Sequence, residues 1–263
     1  MKVVSTRAEL AEARSVLTGR VAVVMTMGAL HDGHVELIRR ARAEADSVVV
    51  TVFLNPLQFA AGEDLARYPR RLEADAALSE RAGADLLFAP LPAEVYREEP
   101  LVRVSAGPLG DVLEGASRPG HFDGVLTVVL KLMHLVRPDV AYFGQKDAQQ
   151  LASIRRMVFD LDVPVEVVAV PTVREPEGLA LSSRNGYLTP EQRASALVLS
   201  RALATGDVAA GRKLIDTEPD VELDYLERVD STTFELRPDG DLLVVAARVG
   251  TTRLIDNALL EDA

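Results

Sequence analysis

Short β-branched apolar runs alternate with longer amphipathic stretches through the first two thirds of this chain, and that alternation constrains the fold more than any other feature. Val21–Thr26, Val48–Leu54, Asp85–Ala89, Val140–Phe143 and Val165–Val170 read as strands buried on both faces. Between them, Val35–Glu44, Leu72–Arg81, Gly124–Val136 and Ala148–Leu161 carry helical spacing, with charges collected on one side. The pattern predicts an α/β fold: a Rossmann-like parallel sheet with helices on both faces. Right-handed crossovers then gather the loops that follow the strands along one sheet edge, where such folds bind ligands.

After Val170 the texture changes, with Pro171, Pro176 and Gly178 breaking regular structure. Thr189-Pro190-Glu191-Gln192 starts a helix, with Thr as N-cap and Pro at the first helical position. Alternating segments at Tyr225–Val229, Phe234–Arg237 and Leu242–Arg248 predict a small, mostly antiparallel sheet, with a hairpin turn at Arg237–Asp241. The expected organisation is a ligand-binding domain over residues 1–172 and a smaller α+β lid domain over residues 173–263.

Charge and cysteine content narrow the chemistry. Twenty-nine basic against forty acidic residues leave a net charge of −11, which repels polyphosphate and argues against nucleic acid as a partner. One locally basic nucleotide pocket stays compatible with it. With no cysteine, thiolate zinc sites, iron–sulfur clusters, disulfides and a cysteine nucleophile are excluded. No apolar signal core opens the chain and no run reaches the ~18–20 apolar residues of a membrane span, so the cytoplasm is the expected compartment.

Five stretches carry candidate chemistry. The first is Thr26–His34, directly after a strand and leading into a helix. There Gly28 and Gly33 let backbone approach a ligand, His31 and His34 meet in the first turn, and the helix N-terminus offers amides to a phosphate. The alternative is a surface loop whose histidines cap the helix. Next, Asn55-Pro56-Leu57-Gln58 places two neutral amides on the same edge, suited to orienting hydroxyls or a carboxylate; an ordinary Asn-Pro turn is the alternative. Arg118–Gly124 reads as a loop over an anionic ligand, or as a plain helix entrance with Asp123 near the N-cap. Gly144-Gln145-Lys146-Asp147 brings an ammonium to the strand end, or carries an ordinary solvated lysine, and Leu181-Ser182-Ser183-Arg184-Asn185 is a compact phosphate clamp or a polar turn. Gly206–Lys213 has the glycine spacing of a phosphate loop, but lacks Lys-Ser/Thr after the second glycine and has no strand before it.

Taken in order, TMGALHDGH at 26–34, VFLNPLQF at 52–59, YPR at 68–70, RPGHFDGV at 118–125, FGQKDAQQL at 143–151 and LALSSRNGYL at 179–188 resemble the pantoate–β-alanine ligase family. That family lies within the nucleotidylyltransferases that carry an H-x-G-H turn. The resemblance implies an ATP-dependent, magnesium-using, homodimeric enzyme that joins pantoate to β-alanine through a pantoyl-adenylate. It implies His34 as proton donor, with His31, Lys146 and Arg184 as the other catalytic groups. Met27, Gly28, His31, His34, Gly144, Lys146, Asp147, Val173, Leu181, Ser182, Ser183 and Arg184 would border ATP. Gln58 and Gln150 would hold pantoate, Asn55 would support that pocket, and Asp75 matches an acidic position tied to magnesium. Met25 stands where the family commonly has proline, a change confined to the strand-to-loop junction. Two other readings remain open at this point: a nucleotidylyltransferase acting on a phosphorylated acceptor, and a nucleotide-binding sensor without catalysis.

Overall fold

The structure is a computed structural model that describes residues 1–60 and 64–260 of the 263-residue chain. It divides into two compact units, Met1–Gly144 with Ser153–Val170, and Gln145–Ala152 with Pro171–Ala263. Segment 145–152 thus groups with the second unit, whereas a single cut after residue 172 leaves it in the first.

In the first unit the chain runs β1 (Lys2–Val4), α1 (Arg7–Ser15), β2 (Val21–Thr26), α2 (Asp32–Glu44), β3 (Ser47–Val52), α3 (Leu72–Ala82) and β4 (Leu86–Phe88). It continues through α4 (Pro92–Val95), α5 (Glu114–Ser117), α6 (His121–Val136), β5 (Val140–Gly144), α7 (Ala148–Asp160) and β6 (Glu166–Val170), with the start of α7 lying in the second unit. The six strands pair in parallel in the order β1-β4-β3-β2-β5-β6. From β2 the chain steps outward through β3 to β4, then returns to the opposite side of β2 with β5. The carboxyl ends of β2 and β5 therefore flank a topological switch point, where open α/β sheets bind ligands.

Burial explains why the strands lack alternation. Ala22, Val24, Val48, Val50, Leu87, Val140 and Tyr142 pack against Val35, Ile38 and Ala41 of α2 and Ala82 of α3. The intervening positions Val21, Val23, Val49, Leu86 and Ala141 are just as buried, which requires cover on the second face as well.

The second unit holds α8 (Pro190–Ala204), α9 (Val208–Ile215) and an antiparallel sheet β7-β8-β9 of Val221–Val229, Leu242–Val249 and Thr252–Leu259. Thr189 and Gln192 form a capping box at the start of α8, as the Thr-Pro-Glu-Gln signature predicts. Ala196, Leu199, Ala202 and Leu203 of α8 share a core with Leu226, Leu243, Val245 and Leu254. The two glycines that mimic a phosphate loop have other roles: Gly206 takes φ 66° just after α8, and Gly211 is a packing position. A Cβ on Gly211 would stand 2.7 Å from Leu226 Cδ2 and 3.1 Å from the Ala202 carbonyl.

Expected strand Phe234–Arg237 does not form. Asp230 Oδ1 accepts from the Thr232 and Thr233 amides, and Phe234 adopts φ 58°. Only a single bridge, Leu236 to Val229, remains, because this local turn competes with a ladder. Strand β9 takes its place in the sheet.

Candidate active site

The loop after β2 is built by backbone hydrogen bonding. Thr26 Oγ1 donates to the Thr51 carbonyl at 2.9 Å and accepts from the Gly28 amide at 3.2 Å. Gly28 and Ala29 then turn through positive φ, 87° and 52°. A Cβ at Gly28 would stand 3.0 Å from Asp75 Oδ2, so glycine is needed there for space as well as for φ. For Ala29 the left-handed region costs about 1–2 kcal/mol. Asp75, 2% exposed on α3, offsets it: its Oδ2 accepts from the Ala29 amide at 3.0 Å and its Oδ1 from the Leu30 amide at 2.8 Å.

His31 is the N-cap of α2, and its Nδ1 accepts from the Gly33 amide at 3.2 Å. Three residues on, His34 Nδ1 accepts from the His31 amide at 3.3 Å, completing a capping box made of two imidazoles. The ring centroids are 4.2 Å apart. Helix capping and ligand chemistry, read as alternatives in the sequence, are compatible here. A nitrogen that accepts from an amide carries no proton, so in the neutral form each ring has its hydrogen on Nε2 and acts there as a donor. Both histidines are thereby held rigidly at a helix N-terminus, where the amides and the dipole favour an anion.

A second cluster lies past the end of β3. Asn55 is 1% exposed, and all four of its side-chain hydrogen-bonding positions are used inside the protein. Oδ1 accepts from the Leu57 amide at 3.3 Å and from the Tyr96 hydroxyl at 2.9 Å; Nδ2 donates to the Gly124 carbonyl and to Gln58 Oε1, each at 3.0 Å. Gln58, 8% exposed, turns its amide nitrogen toward Met27 Sδ at 3.1 Å. The Arg118–Gly124 strap grips the same turn. His121 Nδ1 donates to the Gln58 carbonyl at 2.9 Å, and its Nε2 accepts from Arg118 Nη1 at 3.0 Å. Asp123 accepts from the Ala106 amide at 2.7 Å, and the N-cap of α6 is Gly120. Gly124 lets α6 approach the turn, since a Cβ there would collide with the Leu57 carbonyl. Gly144 closes β5 on the same sheet edge.

The remaining candidates belong to the second unit. Lys146 is half-buried, and Asn257 Nδ2 of β9 donates to the Gln145 and Lys146 carbonyls, both at 2.9 Å. Neighbouring Asp256 receives Arg174 on both oxygens, at 2.6 and 3.0 Å. Asp147 is exposed and Gln150 half-buried. The Leu181 amide donates to the Val173 carbonyl at 3.0 Å, joining two residues that the resemblance expects beside the nucleotide. Ser182 caps a short helical turn, Ser183–Tyr187, by accepting from the Arg184 amide at 3.2 Å. Beneath it, buried Asn185 donates to Glu175 Oε1 and to the Ala180 carbonyl, while Arg193 pairs with Glu175. Burial pushes the Glu175 carboxyl up, but hydrogen bonds from Arg193 and Asn185 outweigh that and hold it below its ordinary value.

A resident magnesium finds no cage. Both Asp75 oxygens are engaged by amides, and among the described residues no three His, Asp or Glu side chains gather to hold a metal ion. The described residues therefore do not assemble a protein-held divalent cation site. No described helix is long and apolar enough to cross a membrane.

Tyr96 and Asn257 escaped the sequence reading. Asn185 did not: it closes the Leu181–Asn185 run, which is itself a local signal. Tyr96 and Asn257 had none, because their partners Asn55 and Lys146 lie 41 and 111 residues away.

A sequence profile for the family described as pantoate-beta-alanine ligase matches residues 2–259. The chain is 60% identical over 250 residues to pantothenate synthetase 4 of Frankia alni, covering 91% of this chain and 82% of that one. The crystal structure of pantothenate synthetase from Thermus thermophilus superposes with a TM-score of 0.94 at 50% identity, over 100% of both chains. The Francisella tularensis pantoate-beta-alanine ligase, complexed with beta-gamma ATP and beta-alanine, gives a TM-score of 0.88 at 33% identity, covering 100% of this chain and 99% of that one. With the sequence matched over nearly its whole length and the fold shared, the chain belongs to the pantoate–β-alanine ligase family, the pantothenate synthetases.

Proposed function

We propose that this chain condenses (R)-pantoate with β-alanine at the expense of ATP, through a pantoyl-adenylate. In the first step a pantoate carboxylate oxygen attacks the α-phosphorus and pyrophosphate leaves. In the second the β-alanine amine attacks the acyl carbon, loses a proton, and AMP leaves. The observation that carries this reading is the two-histidine cap of α2, which holds two Nε2–H donors at a helix N-terminus beside the switch point of the sheet. Donors so held stabilise charge growing on phosphoryl oxygens without reorganising. His34 acts as the proton donor, supported by His31, Lys146 and Arg184. ATP is bordered by Met27, Gly28, Gly144, Asp147, Val173, Leu181, Ser182 and Ser183. Gln58 and Gln150 hold pantoate, and Asn55, with its own bonds all made within the protein, holds Gln58. Magnesium arrives on the ATP phosphates as part of the substrate. The working form is a cytoplasmic homodimer, with residues 1–172 binding substrates and 173–263 acting as a lid; sedimentation at micromolar concentration tests the dimer.

The decisive assay is AMP formation from ATP in the presence of pantoate and β-alanine. AMP is expected only with both acids present. Turnover of a phosphorylated acceptor, with no pyrophosphate released from ATP and pantoate, would instead favour a nucleotidylyltransferase. His34→Ala is expected to lower kcat/KM by orders of magnitude; retained function in that variant would point to a non-catalytic nucleotide sensor.

A further inference from the structure

Tyr96 follows α4, and its phenol reaches Asn55 from a segment pinned to α1. There Arg7 Nη2 donates to the Val95 carbonyl at 2.8 Å, and the Arg7 amide donates to Glu94 Oε2 at 2.9 Å. We propose that Tyr96 is a positioning residue that fixes Gln58 as a hydrogen-bond donor toward pantoate, restricting that position to a substrate atom that offers lone pairs. The inference rests on the reading above that Gln58 holds pantoate.

Polarity runs in one direction through this cluster. Gly124 O can only accept, and the Leu57 amide can only donate, so Asn55 must present Nδ2 to the former and Oδ1 to the latter. The Tyr96 hydroxyl therefore donates to Oδ1, filling its second lone pair. Burial pushes the phenol well above its ordinary value, so it keeps the hydrogen it donates. The Lys131 ammonium lies 5.7 Å from the ring centroid, a cation–π contact that helps to hold the ring in place.

The second Asn55 hydrogen goes to Gln58 Oε1, which leaves Gln58 its amide nitrogen to present. One hydrogen of that nitrogen rests on Met27 Sδ, a weak acceptor that a substrate oxygen easily displaces. An analogue with an ammonium or amide N–H in that place meets donor against donor and is rejected. Without the phenol, a buried Asn55 lone pair goes unfilled and the amide pair loses part of its orientation.

Tyr96→Phe, steady-state kinetics with each substrate varied, and Gln58→Ala as reference test this. Expected for Tyr96→Phe is a rise in pantoate KM of about five- to tenfold, one hydrogen bond's worth, with ATP KM and kcat within about twofold. Gln58→Ala is expected to raise pantoate KM further. If Gln58→Ala raises it and Tyr96→Phe does not, the relay is wrong and the pocket assignment stands. If Gln58→Ala leaves it unchanged, the pocket assignment fails and the inference with it. Equal rises in KM for pantoate and ATP in Tyr96→Phe would show a general disturbance and overturn the proposal. The unsubstituted protein offers a mutation-free check by proton NMR. Slow exchange is expected at the Tyr96 hydroxyl and at both Asn55 side-chain amide hydrogens, and rapid exchange at the hydroxyl contradicts the relay.

Discussion

Asp75→Asn separates two roles for one carboxylate, a magnesium ligand or an anchor for the loop that carries the histidines. In the structure the carboxylate is 2% exposed and accepts two amide hydrogens, from Ala29 at 3.0 Å and Leu30 at 2.8 Å. Asparagine keeps one acceptor, which the shorter Leu30 bond would claim, and turns an NH2 toward the Ala29 amide. Losing one charge-assisted bond costs about 1.5–3 kcal/mol, and leaving the Ala29 N–H unpaired adds about 1–3 kcal/mol. Ala29 also loses the partner that holds it at φ 52°. A central value of about 4 kcal/mol corresponds to a fall in Tm of about 8–16 °C for a domain of this size. Calorimetry of the ligand-free protein in EDTA measures it, and ATP KM is expected to rise as the loop loosens. A metal ligand behaves differently: removing it leaves the metal-free Tm unchanged or raised and shifts the magnesium concentration needed for half-maximal rate. An unchanged Tm in EDTA together with a raised magnesium requirement would refute the anchor.

Gly124→Ala forces a methyl against the Leu57 carbonyl and to 2.8 Å from Gln58 Cα. Overpacking of this kind costs about 1–3 kcal/mol, and pantoate KM is expected to rise while ATP KM holds; unchanged pantoate kinetics would show that the turn tolerates the shift. Glu175 gives a pH signature. Its folded pKa lies below the unfolded one, so its stabilisation is complete above about pH 4.3 and is lost as pH falls through the lowered folded value. Glu175→Gln should therefore melt below the parent at pH 7, with the gap closing as pH falls below the ordinary carboxylate value and through the lowered folded one; a gap independent of pH contradicts the ion pair with Arg193.

How much of this was legible depends on where each partner sits in the chain. The strands around Val23, Val50 and Ala141 announce themselves because burial on both faces demands unbroken apolar runs, and α8 because its capping box lies within four residues. His31 and His34 are legible for the same reason: cap, helix and ring pair occupy one turn. Strand β9 stays hidden because Asp256 and Asn257 interrupt its apolar pattern, and these two residues are the ones that hold Arg174 and the backbone of Lys146. The same conflict marks α3. Asp75, Ser79 and Ala82 share a buried stripe at helical spacing, two polar residues where packing alone asks for apolar ones. Ser79 Oγ donates back to the Asp75 carbonyl, and Asp75 anchors the loop that follows β2. A polar residue on a helix's buried stripe is thus a signal in its own right, because burying it is tolerated only when something distant completes its hydrogen bonds. Tyr96 gives no such signal, since a tyrosine fits a half-apolar site whether or not its hydroxyl has work to do. What separates it from a packing residue is the direction of one hydrogen bond to Asn55, a property of the folded chain alone.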